Sequence, residues 1–192
     1  LSFGRIFYFT MDELIDILDS NGNLIDKTAL KSEAHKNGWF HPTVHIWFYT
    51  KNQKILIQKR SNNKDTHPSL WDVSVAGHIG AGEQIEDAAI REVEEEIGLQ
   101  ISKQSLKKIG VFKSVQKHHK NLIDCEFHHT YIVELKTPLE KLTKQKSEVD
   151  DLQLVSLLQF SEELWGLANT KKYVPHDTNY YKAVIEAIKK EL

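Results

Sequence analysis

The sequence predicts an α/β fold in layers, with a mixed central sheet covered by helices on both faces. Three observations carry that expectation. Short strand-like runs bounded by turn residues recur along the 192 residues, an amphipathic stretch of helical period interrupts them at Gln84–Ile97, and two further helical patterns close the chain. No repeat, low-complexity tract or linker-like segment divides it, so residues 11–192 are expected to form one domain.

Taken in order, Leu1–Thr10 is too short and wrongly flanked for a signal peptide. Met11 is the only methionine, and the expectation is that the native chain starts there. Residues 1–10 then read as a non-native or disordered extension, with a genuine first strand as the alternative. Glu13–Asp19 alternates apolar and polar residues and runs into Ser20-Asn21-Gly22-Asn23, which reads as a hairpin. Val44–Tyr49 and Lys54–Gln58 are strands joined across Thr50-Lys51-Asn52-Gln53, a second hairpin. A polar loop follows at Asn62–Pro68, then a short apolar run, Val73–Ala76, leading into Gly77. The helix at Gln84–Ile97 stops at Gly98. Strands are expected at Ile109–Ser114, Phe127–Leu135 and Leu152–Val155, and helices at Ser161–Ala168 and Asn179–Lys190. The charged segment Leu139–Asp151 reads as a surface connection without a role.

Composition narrows the function classes. Lys and Arg total 25 against 27 Asp and Glu, a net charge of -2, which gives no bulk attraction to nucleic acid or an anionic membrane. No apolar run approaches the roughly 18 residues of a membrane helix. A lone cysteine, Cys125, rules out an internal disulfide and a thiolate metal site, and a cytoplasmic setting is the expectation.

The most informative stretch runs from Gly77 to Leu99. Gly77, Gly80 and Gly82 permit a compact loop whose amides can approach phosphate oxygens. On the helix that follows, Glu92, Glu95 and Glu96 fall within an arc of about 100°, while Glu94 points away. Ala89, Val93 and Ile97 make the adjoining apolar face. Crowded carboxylates repel one another, and a hard divalent cation removes that penalty while taking substrate phosphate oxygens as further ligands. The plainer reading, a solvated acidic face, would carry interspersed cations, and only Arg91 is there.

Glycine, five residues, glutamate, seven residues and then Arg-Glu-Val-Glu-Glu-Glu-Ile-Gly-Leu resembles the Nudix box at every defined position. The resemblance implies an α/β/α sandwich that binds Mg²⁺ or Mn²⁺ and hydrolyses a nucleoside or organic diphosphate. By position, Glu92, Glu95 and Glu96 would ligate metal, and Glu95 or Glu96 could also accept the proton from water. Arg91 and Glu83 would brace the loop as an ion pair, with Gly77 and Gly98 permitting its turns.

The resemblance extends to the isopentenyl diphosphate isomerase branch of that superfamily and its hydrolase relatives. It rests on His45-Ile46-Trp47-Phe48, Ile55–Ser61, Lys64, Pro68, Trp71, Ala76-Gly77-His78 and the tail from Tyr173 to Asn179. Isomerases of this branch bind a metal through three histidines and two acidic residues. The matching positions are His35, His45, His78, Asp124 and Glu126, with His41 competing with His35. His45, His78 and Glu126 are the ones carried forward as metal ligands, and Glu126 also as a catalytic residue. Lys31, Arg60 and Lys64 match the branch's cations for the diphosphate. Two departures decide the chemistry: the branch's isomerases carry a cysteine before Gly-His, where this chain has Ala76 with no ionisable group, and they lack the full acidic set, which is intact here as Glu92, Glu95 and Glu96. Hydrolysis is therefore expected, ahead of carbon isomerisation or a non-catalytic diphosphate-binding module. The expected partner is a small diphosphate, an isoprenoid or nucleoside derivative among the candidates. Trp39, Trp47, Trp71 and Trp165 are possible pocket walls, no nucleic acid or membrane partner is foreseen, and a homodimer is left open.

Overall fold

A computed structural model describes residues 12–166 and 171–192. The expected extension 1–10 and the end of the helix expected at Ser161–Ala168 lie outside them. The chain runs β1 (Leu14–Leu18), β2 (Leu24–Leu30), α1 (Lys31–Asn37), β3 (His41–Thr50), β4 (Lys54–Arg60), β5 (Trp71–Asp72), β6 (Val75–His78) and α2 (Ile85–Ile97). It continues through β7 (Lys107–His119), β8 (Leu122–Glu134), β9 (Val149–Ser156), α3 (Leu157–Leu164) and α4 (Thr178–Glu191).

β1 and β2 pair as a separate hairpin, while the remaining strands form one sheet in the order β5-β4-β3-β8-β7, with β6 also on β3 and β9 also on β4. β3 lies parallel to β8 and antiparallel to β4 and β6, so the sheet is mixed. Its central position explains why nine of its ten residues are buried. Along β3 the side chains alternate by strand geometry. Val44, Ile46 and Phe48 pack with Ala89, Val93 and Ile97 of α2, whereas Trp47 and Tyr49 pack with Phe160, Tyr181 and Val184 of α3 and α4. Two cores on opposite faces of one sheet make the α/β/α sandwich.

Three differences from expectation have local causes. α1 was not foreseen: it is seven residues long, has no side-chain N-cap and buries only Ala34, so it carries no helical apolar stripe. α3 begins at Leu157, earlier than Ser161, because the Ser156 hydroxyl accepts from Gln159 N at 3.0 Å and caps it there. The segment Leu139–Asp151 does more than connect. Thr143 N and Gln145 N donate to the carbonyls of Ile97 and Glu96 at 2.9 and 3.0 Å, satisfying open acceptors in the last turn of α2.

Candidate functional site

Strand register assembles the site. On β8, Asp124, Glu126 and His128 share a face at a spacing of two, which puts Cys125 and Phe127 on the other. Glu126 is opposite His41 on β3, and His128 is opposite Thr43, which faces His78 of β6 on its other side. α2 crosses β6 and brings Glu92 and Glu96 to the same place, where a cleft of about 520 Å³ opens.

The loop and helix of the glutamate motif are tied by Arg91. Its guanidinium donates to both Glu83 oxygens at 2.9 Å, to His78 O at 3.0 Å, to Glu92 Oε1 at 2.7 Å and to Glu95 Oε2 at 3.2 Å. Glu83 in turn accepts from Gly80 N at 2.9 Å, and the bond to Arg91 holds its carboxyl below the usual range. Gly98 ends α2 in the left-handed region at φ 66°, which a side chain rarely adopts.

Of the three glutamates, Glu92 and Glu96 line the cleft, whereas Glu95 is exposed beside Arg91. Burial, and then the neighbouring Glu92 carboxylate, push Glu96 up to about 8. Its Oε2 accepts from Gln58 Nε2 at 3.0 Å and from Ala76 N at 3.3 Å. Burial also raises Glu92, against the pull of Arg91. Two buried carboxylates that resist ionisation side by side are hard oxygen donors suited to a divalent cation of the Mg²⁺ kind.

A second set of donors stands nearby. One ligand atom each from His35, His41, His78 and Glu126 lies within 4.8 Å of the others. His78 Nε2 is 3.3 Å from His35 Nε2 and 3.7 Å from Glu126 Oε1, and His41 Nε2 is 3.5 Å from that oxygen. Those separations resemble the distances, about 3–3.5 Å, between atoms that share one ion at roughly 2.1 Å. His41 Nε2 and Asp124 Oδ1 are buried without a hydrogen-bond partner, which fits a group that binds something else. Although burial opposes it, the histidines around Glu126 hold its carboxyl well below the usual range, while burial pushes His78 well down.

The structure thus brings His78 and Glu126 together with His35 and His41, and it sets His45 apart. His45 Nδ1 is engaged by the Tyr180 hydroxyl at 2.7 Å, and its ring stacks on His128 at 3.9 Å. His41, two rungs back on the same face of β3, stands where His45 was expected. Lys31, Arg60 and Lys64 all reach the cleft. Lys31 pairs with Glu13 at 3.4 Å and Lys64 with Glu148, while Arg60 binds Asp72 at 3.1 Å and Thr66 O at 3.0 Å. None of the four tryptophans lines the cleft: Trp47 is fully buried in the core, Trp71 packs against that core, Trp165 is exposed, and Lys27 Nζ sits 3.2 Å over the Trp39 ring. Sequence reasoning missed Gln58, Asp72, His128 and His176. The spacing of two from Glu126 to His128, and from Gln58 to Arg60, is the signal that could have found two of them.

The NUDIX domain family matches residues 39–177, most of the chain and all of the glutamate motif. This chain is a Nudix protein. Its relatives include an uncharacterised Nudix hydrolase of Clostridium acetobutylicum, 35% identical over 92% of this chain and 97% of its own length. An isopentenyl-diphosphate Delta-isomerase 2 of Photorhabdus laumondii is 33% identical over 78% of this chain and 80% of its length. The crystal structure of DR0079 from Deinococcus radiodurans superposes with a TM-score of 0.68, covering 91% of this chain and 98% of that one at 17% identity, which shows a shared fold. The Nudix protein is therefore a hydrolase of the class that acts on acid anhydrides, a class that generally needs a divalent metal, and it is similar to the isomerase branch. No described helix is long and apolar enough to cross a membrane.

Proposed function

We propose that the protein is a Mg²⁺- or Mn²⁺-dependent hydrolase that cleaves the diphosphate linkage of a small organic or nucleoside diphosphate. The observation that carries this reading is the burial of Glu92 and Glu96 in the wall of a cleft that also receives Lys31, Arg60 and Lys64. Carboxylates and cations on one surface match a substrate that is an anion bridged to the protein partly through metal and partly through charge-assisted hydrogen bonds.

Each residue has a task in that reading. Glu92 and Glu96, joined by Glu95, would hold the catalytic cation, and His35, His41, His78 and Glu126 would offer a second divalent site. A cation bound there neutralises phosphate charge and lowers the pKa of water. Arg60, fixed by Asp72 and Thr66, presents its guanidinium in one orientation. Lys31 and Lys64 exchange Glu13 and Glu148 for phosphate oxygens. Glu95, Glu96 and Glu126 are the candidates for accepting the proton of the attacking water. A carbon isomerase reading has no acid to use at Ala76.

Phosphate release measured across a panel of diphosphates, with Mg²⁺ or Mn²⁺ against chelator, tests the proposal. Glu96→Gln retains the hydrogen-bonding shape beside Gln58 and is expected to lose turnover by orders of magnitude. Turnover like that of the unaltered protein in this variant would reject the assignment.

A further inference from the structure

The diphosphohydrolase reading employs Glu92, Glu96 and the cations and leaves part of the cleft without a task. One rung beyond Glu126 on β8 stands His128, whose Nδ1 meets Thr43 Oγ1 at 2.8 Å and whose buried Nε2 has no hydrogen-bond partner. His45 stacks on it with the rings 18° apart. His176, from the segment before α4, reaches over to bond Asp72 Oδ1 at 2.8 Å, and Asp72 is pinned on its other oxygen by Arg60 at 3.1 Å. His45, His128 and His176 all line the cleft. Each imidazole has one ring nitrogen anchored in the fold, and in His128 the other is unused.

We infer that the organic half of the diphosphate substrate is a hydroxyl-bearing group, such as a sugar, hydrogen-bonded by His128 and His176, and not an isoprenoid chain. The inference rests on the diphosphohydrolase reading and concerns what that site selects. A neutral imidazole carries a donor on one nitrogen and an acceptor on the other, and a hydroxyl can answer either. A hydrocarbon chain in the same place would leave His128 Nε2 unpaired and would strip water from its polar neighbours without replacing it.

The rest of the lining agrees. Among the described residues, Ala76, Leu122 and Val174 supply its only aliphatic side chains, and no tryptophan, tyrosine or phenylalanine lines it. The cleft therefore offers neither an apolar tube nor one of those rings for a base to stack on. A second hollow, of about 390 Å³, includes Val111, Phe112 and Val115, and it meets the first at Gln116, His128 and His176. A chain bound for that hollow would have to lie across three polar side chains.

Steady-state hydrolysis of a sugar 1-diphosphate, ADP-ribose and isopentenyl diphosphate at saturating Mg²⁺ tests this. A site built around hydrogen bonds to a hydroxyl discriminates strongly against an analogue without it. The expected result is a kcat/KM for at least one hydroxyl-bearing substrate about 100-fold or more above that for isopentenyl diphosphate. His128→Phe should lower that ratio about tenfold or more, by loss on the hydroxyl-bearing substrate alone. Should that variant fail to fold, His176→Gln, which can still donate to Asp72, asks the same question. Equal or better hydrolysis of isopentenyl diphosphate, or a ratio unmoved in the folded variants, would overturn the inference while leaving the diphosphohydrolase standing. Absence of hydrolysis in every arm would remove both.

Discussion

A methyl group added at Gly77 would fall on the carboxylate of Glu92, so this glycine is required by what stands opposite it. Gly77→Ala must push Glu92 out of the cleft wall or shift β6. Misplacing a catalytic group by about 1 Å commonly costs about 100-fold in rate, and overpacking costs about 1–3 kcal/mol. The variant should lose turnover on that scale and melt several degrees lower, both read from one preparation by steady-state kinetics and thermal unfolding. Glu95 separates the proposed metal binding from stability more cleanly. It is about half exposed, and its pair with Arg91 is of a kind worth about 0–1 kcal/mol. Glu95→Gln should therefore melt like the parent yet lose most of its activity, while Glu94→Gln, on the exposed face, should change neither. Equal activity in the two variants would remove Glu95 from the proposed metal site. The glutamate motif could be read from sequence because helix geometry is local: 100° per residue fixes which carboxylates share a face. The histidine cluster could not be read so fully. His41, Thr43 and His45 share a face of β3 by the same kind of rule, but which of them meets Glu126 depends on the parallel register with β8, a contact between residues 85 apart in sequence.

Among the elements, those with a strong period were legible and those held by tertiary contacts were not. The amphipathic pattern and Gly98 place α2 to within a residue of Ile85–Ile97. β7 and β8 run 13 residues each, well past the apolar runs that mark the halves away from their turn, because their turn-side ends pair with each other as a hairpin. α1 has no stripe to reveal it. It is held by its place between β2 and β8, where Gly38 closes it by donating to His35 O at 3.4 Å. At α3 the start signal is local: Ser156, a capping residue, precedes the apolar positions Leu157 and Phe160 that the helix buries. Removing the cap with Ser156→Ala should cost about 1 kcal/mol, lowering the melting temperature by a few degrees without altering kcat, since Ser156 is not among the cleft residues. A change in kcat would mean that α3 communicates with the cleft through β9, whose Leu152 is paired with Gln58 beside Glu96.

At the scale of the whole molecule, the cleft's carboxyl groups couple folding to pH and, on the proposed function, to metal. Glu96 in the folded, metal-free protein holds its proton up to about 8, against 4.5 ordinarily, because burial and Glu92 disfavour its charge. A raised acid means that the folded state binds the proton more tightly than the unfolded one. The stability contributed by Glu96 is therefore complete below 4.5 and is lost as pH climbs through about 8. Glu126 works in the opposite sense. Its carboxyl is held well below the usual range, so its contribution is present at neutral pH and lost only in acid. Between about pH 5 and 8, then, Glu96 alone predicts a metal-free protein that weakens as pH rises. A divalent cation bound to Glu92 and Glu96 replaces the proton as the partner of the buried charge, and it binds the folded state alone. Saturating Mg²⁺ should thus raise the melting temperature little near pH 5, where proton and metal compete, and considerably more near pH 8, where the proton has left. Glu96→Gln has no proton to exchange and should flatten this dependence while retaining the acid-side loss set by Glu126. A magnesium-induced shift that is the same at both pH values, or that survives unchanged in Glu96→Gln, would place the cation elsewhere, and the His35, His41, His78 and Glu126 set would then be the site to alter next.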